Sequence, residues 1–252
     1  MSENLTLLFG ARLSAAVVMA ALGSLLAVSF KKINHLGLCI LISFAAGALL
    51  AVALFDIIPE TMELVGLRLG LLSVLTGYLL FYAINRFVFH ICPACAATHT
   101  EVNFKAVTVA MVVALSVHSF MDGLAIYSGS LTGSEVGFLI VLAVAFHKFP
   151  EGMALSLVAR GSGMRLSKAL GLSVLLEAGT TLAGGLAGFL FLKASSPHWV
   201  GFVLGHIGGG FVFLVIHALL SEVIKHHPQS TLLAAFAGAT SIAVVGFLIG
   251  AF

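Results

Sequence analysis

The chain is 252 residues long, 60% of them hydrophobic and only 9% charged, with a formal net charge of +2 and a mean hydropathy of +1.16. A composition this apolar excludes a soluble globular domain and indicates an integral membrane protein, and so small a charge leaves no footprint for nucleic acid. The apolar stretches are solid runs, such as ILISFAAGALLAVALF at 40–55, where barrel strands would alternate apolar and polar residues, so the spans are expected to be helices.

The pattern predicts an all-α membrane protein with eight transmembrane helices at about 5–30, 35–58, 64–89, 104–129, 136–159, 168–192, 199–224 and 231–251, forming one transmembrane domain over 1–252. The first run is too long for the apolar region of a signal peptide and lacks a basic lead-in, so it is read as mature structure. The second ends in FDIIPE at 55–60. The loop between the third and fourth carries Cys92 and Cys95 as CPAC, flanked by His90 and His99. One CxxC is a weak metal signal, because a complete structural zinc site usually has two regularly spaced pairs.

Lysines and arginines near helix ends set orientation, because they stay on the cytoplasmic side. With the N-terminus outside, the inner connections hold Lys31, Lys32, Arg86, Lys105, Arg160, Arg165, Lys168 and Lys225, against Arg12, Arg68 and Lys193 outside. This bias of eight to three places both termini outside. The expected location is the cell (inner or plasma) membrane, as a multi-pass protein.

The fourth and fifth spans share one template. HSFMDGLAI at 118–126 and HKFPEGMAL at 147–155 both read His-x-Phe-x-acid-Gly-x-Ala-aliphatic. An ionised residue at a helix centre costs about 2.5–3.5 kcal/mol on insertion scales, so buried acids and histidines demand a partner or an aqueous path. On a helix, residues i and i+4 stand on one face, so His118 with Asp122, and His147 with Glu151, each form an adjacent nitrogen and oxygen ligand pair. Both pairs fall near the bilayer midplane and can meet. Glu177, in LLEAGTTLAGG of the sixth span, can extend the site. Imidazole and carboxylate suit zinc, iron(II), manganese or cobalt without selecting strongly among them. Gly123 and Gly152 follow the two carboxylates and allow close helix approach. Pro150 removes an amide and frees the Phe146 carbonyl beside the site.

The chain resembles the ZIP (Zrt/Irt-like) divalent metal transporters over its whole length. That family's fourth-span pattern, His-Asn-x-x-Asp/Glu-Gly, corresponds to HSFMDG, and its fifth-span pattern, His-x-x-Pro-Glu-Gly, corresponds to HKFPEG. FDIIPE, with Asp56, and the sixth-span glutamate look similar to the family too. The resemblance implies a ZIP-like helical bundle that takes a divalent transition metal into the cytoplasm, zinc foremost and iron, manganese, cobalt or cadmium as further candidates. It implies His118, Asp122, His147 and Glu151 as primary ligands, with the metal as transported substrate and no prosthetic group.

In the family a second metal position uses the residue after each histidine and the sixth-span glutamate, which are Ser119, Lys148 and Glu177 here. A protonated amine cannot coordinate a metal. Lys148 is therefore expected to stand as a tethered cation against Glu177, Asp122 or Glu151. The resemblance further implies movement of spans one, four, five and six against the remaining helices, association as dimers, and an exit route past His217 and Glu222 near the inner end of span seven. Two other classes fit buried histidines and acids: an intramembrane zinc-dependent hydrolase and a proton-coupled carrier of an organic solute. The first usually carries a His-Glu-x-x-His helix that this chain lacks.

Overall fold

The computed structural model describes residues 3–29, 35–87, 104–132, 134–193, 195–220, 225 and 227–249. All regular structure among them is helical: α1 (Glu3–Ser29), α2 (His35–Val52), α3 (Ile58–Val65), α4 (Leu67–Phe87), α5 (Phe104–Thr132), α6 (Ser134–Gly161), α7 (Leu166–Leu192), α8 (Pro197–Phe213) and α9 (Pro228–Ile249). A π-helical segment joins α2 to α3 over Ala53–Ile57, and another extends α8 over Leu214–Leu220. Seven stretches among the described residues are long and apolar enough to cross a membrane. The remaining expected span, 104–129, coincides with α5, which carries His118 and Asp122.

The second span differs from the expectation. Its helical path does not stop at residue 58 but runs on to Val65 and turns at Gly66, whose φ of 79° is open to glycine and strained for other residues. Pro59 signals a helix end when read locally. Here the π turn over Ala53–Ile57 restarts the α-helix at Ile58, which leaves Pro59 in a first turn where its missing amide is not needed.

The helices pack as two groups. α1, α5, α6 and α7 make extensive contacts with one another, while α2 pairs with α9, and α8 packs against α3 and α4. α2 joins the groups by packing on α6. In lipid, apolar surface gives no preference for one helix neighbour over another, so close approach through small residues decides which faces meet. A Cβ at Gly123 would collide with the Thr181 carbonyl of α7, and one at Gly152 with the Ala20 carbonyl of α1. Each glycine that follows a carboxylate is thus a crossing point that holds its helix within the first group. Buried hydroxyls reinforce the crossing at Gly152: Ser173 donates to its carbonyl at 2.9 Å and lies 2.8 Å from Ser24. Arg12 of α1, also buried, donates to Ser130 of α5 at 2.9 Å.

Candidate metal centre

The repeated template sets each histidine one turn before a carboxylate, and the packing of α5 against α6 turns both pairs toward each other. His118, Asp122, His147 and Glu151 are all buried, and each offers a ligand atom such that these atoms lie within 4.8 Å of one another. The pairs reach across the helix interface. His118 Nε2 is 3.2 Å from Glu151 Oε1, and His147 Nε2 is 3.2 Å from Asp122 Oδ2, while within α5 the distance from His118 Nε2 to Asp122 Oδ2 is 3.6 Å.

Proton placement on His147 follows from its neighbour. Nδ1 lies 2.9 Å from the Ala143 carbonyl, which can only accept, so Nδ1 donates, and as a metal ligand the ring would present its lone pair at Nε2. That lone pair faces a carboxylate oxygen, and two acceptors at such a distance repel unless a cation stands between them. Both ring nitrogens of His118, both oxygens of Asp122 and Nε2 of His147 are buried and make no hydrogen bond of good geometry. They stand at ion-pair distances without hydrogen-bond alignment, as expected of donors aimed at a common point. Leaving such groups unsatisfied in a membrane interior is costly, and a divalent ion bound by two imidazoles and two carboxylates would satisfy one nitrogen of each ring and one oxygen of each acid.

Glu177 lies beside this group and meets it through Lys148. The Lys148 ammonium is 2.8 Å from Asp122 Oδ2, 2.8 Å from Glu177 Oε2 and 3.5 Å from Glu151 Oε2, with no exposed surface. It also donates to the Ser119 hydroxyl at 2.5 Å, and Ser119 donates to Glu177 Oε2 at 2.9 Å. The expectation of a tethered cation therefore corresponds to a lysine held between three carboxylates and a serine.

The other expected residues are placed apart from these four candidate ligands. Asp56 is buried in the π segment before α3, with one carboxylate oxygen unpaired, and does not join the four-residue group. His217, in the second π segment, is exposed and meets Tyr78 through a 2.5 Å contact between Nε2 and the phenol oxygen. Glu222, and the CPAC loop with His90 and His99, lie outside the described residues. One neighbour was not anticipated. Phe211 of α8 is fully buried, and its ring centroid stands 6.0 Å from that of His118 and 6.5 Å from that of His147. The local sequence, GGGF, marks close packing but gives no sign that this ring covers the histidines.

Comparison with known proteins bears on the same segments. The chain is 28% identical over 264 residues to the zinc transporter ZupT of Stenotrophomonas maltophilia (strain K279a), covering 97% of each chain. It is 26% identical over 233 residues to the zinc transporter ZupT of Chlorobium luteolum, covering 84% of this chain and 87% of that one. A putative zinc transporter of Arabidopsis thaliana is 28% identical over 196 residues, 74% of this chain, which thus spans only 30% of that longer protein. A family model described as ZIP zinc transporter matches residues 96–248, a stretch that contains α5, α6, α7 and every residue of the buried cluster. By that match the chain belongs to the ZIP zinc transporter family.

Proposed function

We propose that the protein carries a divalent transition metal, zinc foremost, across the cell membrane into the cytoplasm, with His118, Asp122, His147 and Glu151 as the residues that hold the ion in transit. The observation that carries this reading is the convergence of two imidazoles and two carboxylates, all buried and crossed between α5 and α6. Zinc is placed first because the similar bacterial proteins are named zinc transporters. Iron(II), manganese, cobalt and cadmium are further candidates, since imidazole and carboxylate donors select weakly among divalent ions. The inward direction rests on the resemblance of HSFMDG and HKFPEG to the family's motifs, and the lysine and arginine bias supports an orientation with both termini outside.

In this reading the metal is substrate, no covalent chemistry is performed and no prosthetic group takes part. The first helix group, α1, α5, α6 and α7, contains the entire cluster, and movement of that group against the others would carry the ion from one side to the other. Asp56 and His217, placed away from the centre, belong to the approach and departure of the ion, together with Glu222. Two chains associate as a homodimer in the bilayer.

The test is uptake of radioactive zinc into vesicles containing the purified protein, with manganese, iron(II), cobalt and cadmium as competitors. Accumulation that requires the protein and disappears in His118→Ala and His147→Ala supports the reading. Accumulation that is the same in both variants would exclude it.

A further inference from the structure

The buried cluster contains more cation-binding capacity than the four ligands use. Lys148 marks where the remainder lies. Its ammonium has Asp122 Oδ2 and Glu177 Oε2 at 2.8 Å, Glu151 Oε2 at 3.5 Å and the Ser119 hydroxyl within hydrogen-bond reach. Three carboxylates and a hydroxyl around one point make an oxygen-rich cation position, and the two positions share their acids. Asp122 Oδ2 faces the His147 nitrogen at 3.2 Å and the ammonium at 2.8 Å. Glu151 directs Oε1 to His118 at 3.2 Å and Oε2 to the ammonium at 3.5 Å.

Charge decides how many ions such a cluster holds in a low-dielectric interior. Asp122, Glu151 and Glu177 supply three negative charges, Lys148 returns one, and the histidines as neutral ligands add none. A net of two negative charges remains, which one divalent ion cancels. A second divalent ion would leave an excess of two positive charges and would have to displace an ammonium that has no exposed surface toward which to retreat. The acids outnumber this lysine, and the surplus matches one cargo ion.

We propose that the centre holds a single transported ion because its second cation position is permanently filled by the Lys148 ammonium. Lys148 is thus a positioning residue. It holds Asp122 and Glu151 toward the histidines and excludes a second metal. This rests on the reading of the cluster as the metal-carrying site.

The experiment counts ions held by the full-length protein, purified in detergent and dialysed to equilibrium against saturating radioactive zinc. The count for an Asp122→Ala/Glu151→Ala double variant is subtracted, because that variant loses both positions and reports zinc bound elsewhere, CPAC included. One ion per chain is expected for the wild type and for Lys148→Arg, which keeps the charge. Two are expected for Lys148→Asp, where four acids balance two divalent ions. Lys148→Gln provides an independent arm should Lys148→Asp fail to fold. It removes the charge, keeps the reach, and should admit a second ion at higher zinc. Two ions in the wild type, or one ion at saturation in every folded neutral or acidic variant, would overturn the inference while leaving the carrier reading in place. No ion above the subtracted background in the wild type would overturn the carrier reading itself, and this inference with it.

Discussion

Phe211 of α8 stands edge-on to His118 of α5, with ring centroids 6.0 Å apart and planes inclined by 69°. It reaches His147 at 6.5 Å with the same inclination, so one ring from the second helix group covers both imidazoles of the first. The ring is completely buried. Phe211→Ala is therefore expected to destabilise the protein by about 3–5 kcal/mol, the usual range for truncating a buried phenylalanine, with Phe211→Leu costing much less. Denaturant unfolding in detergent micelles measures both. Equal stability of Phe211→Ala and the wild type would mean that the ring is not packed against the histidines.

Ligand removal should silence transport without unfolding the chain. His147→Ala and Glu151→Ala each delete one of four donors, and each should lower zinc uptake by at least about tenfold, the scale expected when about 1.4 kcal/mol of interaction is lost. Membrane insertion and the elution profile in detergent should stay as in the wild type. Full uptake in both variants would remove these residues from the ion path.

The glycine crossings set the positions of the helices that carry the buried cluster. At Gly184 of α7, an added Cβ would run into the Phe120 carbonyl of α5, and Gly123 meets the Thr181 carbonyl in the reverse sense. Because the obstacles are backbone atoms, Gly184→Ala and Gly123→Ala should each cost about 1–3 kcal/mol and push α5 away from α7. Glu177 would then move away from Lys148 and Ser119, so uptake should fall along with stability. Thermal unfolding of the two variants, read beside their uptake, tests this. Wild-type values for both would show that the two helices can separate freely.

Orientation is open to direct labelling. His198, at the start of α8, is exposed, and Ser162 lies in the turn between α6 and α7. With both termini outside, His198→Cys should react with an impermeant thiol reagent on intact cells, whereas Ser162→Cys should react only after permeabilisation. The converse pattern would mean that the orientation is inverted. Ser130 serves less well for this purpose, since it is buried and accepts the Arg12 hydrogen bond.

Composition alone determined that this chain belongs in a bilayer, because a segment with so few charges has no other solvent. Local spacing determined that His118 and Asp122 share a helix face, as do His147 and Glu151, since the helical repeat requires no tertiary information. The resemblance of HSFMDG and HKFPEG to family patterns reached the same four residues independently of geometry. Which faces meet was decided by the tertiary structure. The helices are apolar around most of their circumference, so the sequence marks no inward stripe, and backbone approach at residues such as Gly123 and Gly152 fixes their rotation instead. That rotation crosses the two histidine–carboxylate pairs, turns Lys148 toward Asp122 and Glu177, and brings Phe211 over the histidines from a helix remote in sequence. The end of the second span was likewise beyond local reading, because the π turn at Ala53–Ile57 accommodates Pro59 and carries the helix on to Gly66. Each of these features depends on contacts between segments far apart in the chain, and hydrophobic periodicity cannot register such contacts when every face is apolar.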